Sequence, residues 1–258
     1  MTVILKVDTR GVASLVLNRP DKHNAMSADM IKDLTDAAQQ IAVNSDIRVV
    51  VLRANGKSFC AGGDLKWMRD QMASDTATRR AGAEALANML RALNTLPQPV
   101  IGRIHGNAFG GGVGLACICD VAIGVTGAKF GLTETKLGLI PATIGPYVVA
   151  RMGESYARRV FMSSRVFDAS EAQRLGVIAE VVMPEMLDAS IEAEVIPYLK
   201  CAPSSVAAAK ALARSLGLTI NDATVSASID ALVSVWDSEE AAQGLAAFFN
   251  KQSPTWVK

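Results

Sequence analysis

An α/β body carrying a helical tail is predicted by three features of the 258-residue sequence. Short β-type runs alternate with helical patterns. One run, Val49-Val50-Val51-Leu52, is apolar enough to be buried on both faces, and everything after Pro184 is helical in pattern. Strand–helix–strand alternation implies parallel pairing through crossover connections. The first strands are Val3–Val7 and Val12–Leu17. A helix follows, with Ser27 as N-cap, Asp29 in its first turn, and Ile31, Leu34, Ala38 and Ile41 along one face. The buried-type strand spans Ile47–Leu52. A long helix from about Thr76 to Leu96 is closed by Pro97 and Pro99. Then come a strand, Val100–His105, a glycine cluster, and an apolar run, Val113–Val125, broken only by Asp120. From Asp168 a capped segment leads to a final strand, Val177–Val182. The remaining helices are Met186–Leu199, Ser204–Leu216, Asp222–Trp236 and Ser238–Lys251. The body is taken as residues 1–195 and the tail as 196–258. The tail carries more apolar surface than a short chain can bury on itself, so packing against another subunit is expected.

Composition narrows the function. Half of the residues are apolar, and 26 basic side chains face 25 acidic ones, a balance with no electrostatic footprint for nucleic acid or an anionic membrane surface. No apolar stretch approaches the roughly 18 residues of a transmembrane helix. The opening residues, Met1 to Asp8, lack the cationic start and long apolar block of a signal peptide and read as a strand. Four cysteines make no disulfide framework in a chain of this length. A reducing, cytoplasmic setting is the expectation. Cys117-x-Cys119 has the wrong spacing for a zinc knuckle, and no His/Cys/carboxylate cluster has metal-ligand spacing, so no metal is expected. The anomaly is in the glycines: six of the 20 fall between Gly102 and Gly114.

Three segments carry chemical interest. Lys57-Ser58-Phe59-Cys60-Ala61-Gly62-Gly63-Asp64-Leu65-Lys66 follows the buried strand, and its adjacent glycines let backbone N–H groups approach a ligand just before a helix start. Alone, it fits a tight strand-to-helix turn equally well. His105-Gly106-Asn107-Ala108-Phe109-Gly110-Gly111-Gly112-Val113-Gly114-Leu115 sets three consecutive glycines between a strand and a helix. It matches neither the dinucleotide nor the P-loop pattern, which leaves close helix packing or a site. Two such loops, each aiming one N–H at a common point, suggest the oxyanion hole of acyl chemistry. In Phe130-Gly131-Leu132-Thr133-Glu134-Thr135-Lys136-Leu137-Gly138-Leu139-Ile140-Pro141, Glu134 is a lone acid among apolar and small residues. Burial would raise its pKa and suit it to proton transfer, whereas a surface position would pair it with Lys136 or Lys129. His105, at a strand end, and Cys60, in a loop that offers its backbone, read as structural.

In order and spacing these segments resemble the crotonase (enoyl-CoA hydratase/isomerase) superfamily, over nearly the whole chain. The likeness begins at Leu17-Asn18-Arg19-Pro20-Asp21-Lys22-His23-Asn24-Ala25-Met26 and ends at Ala247-Phe248-Phe249-Asn250-Lys251. It implies a spiral of ββα turns with a C-terminal helical trimerisation region, assembled as a trimer or a dimer of trimers. It implies an acyl-CoA substrate, coenzyme A being part of the substrate, with no prosthetic group. The backbone N–H groups of Gly63 and Gly111 would hold the thioester oxygen. Ala61, Asp64, Leu65 and Lys66 would contact CoA, with Lys22, His23 and Ala25 on the opposite wall and the pantetheine threaded between the two loops.

One departure from the family pattern bears on mechanism. The best-known hydratases use two glutamates, one after the glycine triplet and one in the Phe-Gly-x-x-Glu segment. This chain keeps the second as Glu134 and has Gly114 at the first position. A single carboxylate suffices to shuttle a proton between carbons, as in the isomerase branch. Hydration would be helped by a water retained at Gly114 or by a polar group from elsewhere, and the sequence names none. The stretch from Leu132 to Val148, with Pro146-Tyr147-Val148, resembles bacterial hydratases of branched glutaconyl-CoA esters, so a hydratase is the expected activity. A Δ3,Δ2-enoyl-CoA isomerase, or a CoA- or RNA-binding protein of this fold with weak catalysis, are the alternatives.

Overall fold

The computed structural model describes all 258 residues. Strands β1 (Val3–Val7) and β2 (Val12–Leu17) form an antiparallel pair, turning at Gly11, whose φ of +84° suits glycine. Helix α1 (Ala28–Val43) then crosses to β3 (Val49–Ala54), which lies parallel to β2. The Ser27 hydroxyl accepts from the Met30 N–H and caps α1, whose buried face includes Ile31, Leu34, Ala38 and Ile41. Strand β3 begins two residues later than the sequence predicts. The Ile47 N–H is spent on Asn44 in a turn, and Arg48 donates to Gly11.

Helices α2 (Leu65–Ala73) and α3 (Thr76–Asn94) lead to β4 (Val100–Ile104), and with β6 (Val121–Val125) and β9 (Glu180–Val182) the main sheet runs β1-β2-β3-β4-β6-β9. Every pair after the first is parallel, as crossover connections require. The apolar run expected at Val113–Val125 divides in two. Helix α4 (Gly111–Ile118) ends at Cys119, and β6 (Val121–Val125) starts after Asp120, whose carboxylate accepts from the Val100 N–H at 2.7 Å. A second sheet is built from β5 (Ala108–Phe109), β7 (Lys129–Gly131) and β8 (Val166–Asp168), with α5 (Gly145–Met152) and α6 (Glu154–Phe161) between the last two. Helix α7 (Ala169–Arg174) precedes β9, which is shorter than the predicted Val177–Val182. Only Glu180–Val182 pairs with β6, because Val177 donates back to Ala172.

Helix α8 (Leu187–Leu199) packs on β3, β4 and β6, so the predicted boundary at residue 195 falls inside an element of the body. The tail helices differ in cover. Val225, Ile229 and Val233 of α10 (Asp222–Trp236) pack on Ala83 and Ala87 of α3. Ala241 and Leu245 of α11 (Glu239–Phe249) pack on Met68 and Leu139. Two tail helices therefore bury their apolar faces within their own chain. Helix α9 (Pro203–Leu216) buries no residue, and Leu212, Leu216 and the following Leu218 are exposed. No helix is long and apolar enough to cross a membrane.

Candidate active site

Backbone bonding brings three loops side by side. The N–H groups of Phe59 and Cys60 both donate to the Asn107 carbonyl, at 3.0 and 3.1 Å, and Phe109 donates to Cys60 at 2.9 Å. On the other flank Met26 donates to Gly62 at 2.7 Å, Asp64 donates to Met26 at 3.0 Å, and Ala61 donates to His23 at 3.0 Å. The expectation that pantetheine threads between the 18–26 and 59–66 loops is corrected by these bonds. The two loops are paired to each other and form one surface, across which a ligand can lie. Lys22, His23, Ala61, Leu65 and Lys66 are exposed on or beside it, whereas Ala25 and Asp64 are buried.

The Asp64 side chain is occupied. It caps α2 by accepting from the N–H groups of Lys66 at 2.9 Å and Trp67 at 3.1 Å, and it pairs with Arg19 at 2.9 Å. Burial opposes its ionisation, but these donors outweigh burial and hold it below the ordinary carboxylate range. Arg19 also donates to the Ala25 carbonyl at 2.5 Å. Asn24, not singled out in the sequence, ties the loop down. It is fully buried with φ of +54°, and its amide donates to the carbonyls of Asn55 and Ser58.

Gly63, Gly111 and Glu134 line one cavity of about 110 Å³. Gly111 is the first residue of α4, where an N–H has no partner inside the helix, and neither its N–H nor that of Gly63 donates to any protein acceptor. Two donors are thus left free in the same wall. Glu134 opens a single 3-10 turn, Glu134–Leu137, directly after β7. Its Oε2 is buried without a hydrogen-bond partner, and burial pushes its carboxyl up to about 7. Neither Lys129 nor Lys136 pairs with it. Gly110 is required beside it: its φ is +49°, and a Cβ there would lie 2.9 Å from Glu134 Oε1.

The other walls come from residues that the sequence reading did not single out. Trp67 and Met68 of α2, Leu86 of α3, and Leu232 and Trp236 of α10 all line the cavity, as do Met26 and Ile31. Each is apolar and indistinguishable in the sequence from an ordinary core residue. The segment Leu139–Ile144 supplies the remaining side, including Thr143.

At Gly114 the expectation of a space able to retain water is corrected. A Cβ on Gly114 would lie 2.4 Å from Cγ2 and 2.9 Å from Cβ of Ile144. Ile144 fills the volume into which a side chain at 114 would project. The two residues read as structural lie where such roles put them. His105 Nε2 meets the Gly56 carbonyl at 2.9 Å, and burial lowers its pKa from the ordinary histidine value. Burial pushes the Cys60 thiol up to about 12, far from a reactive thiolate.

Residues 8–258 match the model of a family described as enoyl-CoA hydratase/isomerase. The chain belongs to the enoyl-CoA hydratase/isomerase family. An enoyl-CoA hydratase of Alternaria alternata is 34% identical over 205 residues, 79% of this chain and 67% of that protein. The crystal structure of an enoyl-CoA hydratase from Shewanella pealeana matches with a TM-score of 0.81 at 38% identity, covering 99% of this chain and 96% of that one. One from Mycobacterium avium matches with a TM-score of 0.88 at 30% identity, covering 99% of both. The fold of this enoyl-CoA hydratase/isomerase family member is therefore the crotonase fold, an α/β spiral with a helical C-terminal region.

Proposed function

We propose that the protein adds water across the α,β double bond of an enoyl-CoA thioester, with Glu134 as its acid and base. One observation carries this reading: a buried carboxyl near pKa 7, its Oε2 without a hydrogen-bond partner, shares a cavity with two backbone N–H groups that lack acceptors. The thioester oxygen accepts from Gly63 and Gly111. Water forms a C–O bond at the β-carbon while Glu134 takes its proton, and the π electrons move into an enolate held by the two N–H groups. The same carboxyl then returns the proton to the α-carbon. Each oxyanion donor would contribute about 3 kcal/mol to the barrier reduction, and the positioned acid/base about 100-fold or more in rate.

The exposed residues Lys22, His23, Ala61, Leu65 and Lys66 are proposed to border the CoA moiety, with Ala25 and Asp64 shaping their loops from beneath. No Lys, Arg or His lines the cavity, which supports an acyl group uncharged around its reacting carbons. A carboxylate on a glutaconyl-type chain would have to reach beyond these walls. The exposed leucines of α9 support assembly into a trimer or a dimer of trimers, which sedimentation would test.

One observation favours a second reading. Ile144 closes the position of the family's other glutamate, and a lone carboxylate also serves a Δ3,Δ2-enoyl-CoA isomerase. A panel of 2-enoyl and 3-enoyl esters followed by enoyl-thioester absorbance separates the two. Hydration removes the conjugated signal, isomerisation creates it, and a pure binder does neither.

A further inference from the structure

Resting on the hydratase reading, we propose that the Thr143 hydroxyl is the second group that positions the attacking water. Water that attacks a carbon must be held in one orientation. One lone pair must aim at the β-carbon and one O–H must point at the Glu134 carboxylate, so the other O–H needs an acceptor. Without it the molecule pivots about the Glu134 bond, and near-attack geometry is lost.

The cavity contains few groups able to accept that bond. Besides Glu134, its polar side chains are Thr143, Trp67 and Trp236, and an indole N–H donates but cannot accept. The thioethers of Met26 and Met68 are weak acceptors. The position after the glycine triplet is Gly114, and Ile144 closes the space next to it. Thr143 remains. The residue is 5% exposed, it lines the same cavity as Glu134, and no protein group hydrogen-bonds its hydroxyl. A hydroxyl that the protein leaves unengaged, on a residue lining the cavity that also holds the unpartnered Glu134 Oε2, matches the requirement for the second O–H.

The chain around Thr143 holds it in place. Ile144 is locked against Gly114, Ala142 donates to Ile140 at 2.9 Å, and Gly145 donates to Ala142 at 2.9 Å as α5 begins. The Ile144–Gly114 contact that removes one possible polar site thereby fixes the residue next to another. Thr143 is a positioning residue in this scheme: Glu134 exchanges the protons, and Thr143 orients the oxygen.

The test uses two reactions of the whole enzyme that share Glu134 and the two N–H groups but differ in water attack. One is hydration of the panel's fastest 2-enoyl-CoA ester. The other is exchange of α-protons of the corresponding saturated acyl-CoA into deuterated water, followed by NMR, in which Glu134 removes and returns a proton and no C–O bond forms. Thr143→Val, which keeps the shape and removes the hydroxyl, should lower hydration kcat by about 10- to 100-fold with KM little changed. Its α-exchange should stay within about 2-fold of the unaltered enzyme, and Thr143→Ser should recover hydration to within about 3-fold. The proposal is overturned by a Val variant that hydrates normally, by hydration and exchange falling together, or by a Ser variant no better than Val. Glu134→Gln is the control for the underlying reading: it should abolish both reactions, and if it spares both, that reading fails whatever Thr143 does. An unaltered enzyme that hydrates no ester of the panel removes both.

Discussion

The two ends of α4 solve the same electrostatic problem in opposite ways. At its N-terminus the Gly111 N–H has no acceptor and faces a cavity holding the unpartnered Glu134 carboxyl. At its C-terminus, where carbonyls lack partners, Arg151 donates to Cys117 at 3.2 Å, to Asp120 at 3.3 Å and to Cys119. Lys210 joins them, bonding the Asp120 carboxylate at 2.7 Å and the Gln98 carbonyl at 3.0 Å. A groove of about 680 Å³ borders this second region, several times the volume of the first, yet within it only the Tyr147 hydroxyl is buried without a partner. On the proposed reading, size does not mark the site. Polar groups held in place and left unsatisfied do, because a transition state can use only what the resting protein has not already spent.

The sharpest way to break this contrast is at Glu134. Glu134→Gln preserves shape and removes the proton carrier, so turnover should fall by about 100-fold or more while CoA esters still bind. In the unaltered enzyme, kcat/KM should rise with pH through about 7 and level above it, since the carboxylate must be free to take the water proton. Retained turnover in the Gln variant, or a profile flat across that range, would remove Glu134 from the mechanism.

The opposite end should respond in stability and not in rate. The Lys210 side chain is 9% exposed, and Lys210→Met would leave the Asp120 carboxylate without its cation. The cost should approach 3 kcal/mol, the lower end for breaking a buried pair because Asp120 retains some contact with water and with Val100. Urea denaturation reads this loss. A matching fall in kcat would show that the two ends are not separable.

Stability at Glu134 runs the other way. Its folded pKa of about 7 lies above the ordinary value of 4.5, so the folded chain holds a proton that the unfolded chain has released. Between those values stability declines as pH rises, and above about 7 the loss levels off near 3 kcal/mol. Glu134→Gln should therefore be more stable than the unaltered protein at pH 8, by up to that amount, and the difference should vanish by about pH 4. Denaturation curves at both pH values decide this. An enzyme that keeps a buried acid poised for proton transfer carries that instability as a condition of activity.

These effects divide along the line between what the sequence made legible and what it did not. Helices α1, α3 and α10 were legible because the apolar period and the caps agree, as at Ser27 and Ile31. Glu134 was legible as a lone acid, and Gly63 and Gly111 through family likeness, because glycines in succession are unusual in an α/β body. The walls were not. Trp67, Leu86 and Trp236 meet only when three separate helices fold over Glu134, and nothing in a short window tells a cavity-lining tryptophan from a packed one. Thr143 was hidden for a different reason: a threonine before a helix is common, and only the fold places it on the wall of the cavity that holds Glu134. The filling of Gly114 by Ile144 was hidden because it depends on contact between residues 30 positions apart in the chain.

The smallest expected effect is at Cys60, in the loop that leads to Gly63. The loop serves the proposed chemistry through its backbone: the Cys60 carbonyl accepts from Phe109, its N–H donates to Asn107, and the next peptide groups lead to the free N–H of Gly63. The thiol is fully buried and pushed up to about 12, so at neutral pH it is neither a nucleophile nor a charge. Cys60→Ala removes the sulfur and leaves every one of those backbone bonds possible. Turnover should stay within about 2-fold, and stability should fall by no more than about 1 kcal/mol for the lost packing. Iodoacetamide should modify the exposed Cys201 in the native protein and leave Cys60 untouched until the chain unfolds. A large loss of turnover in Cys60→Ala, with stability intact, would mean that a side chain and not the backbone carries the function of this loop.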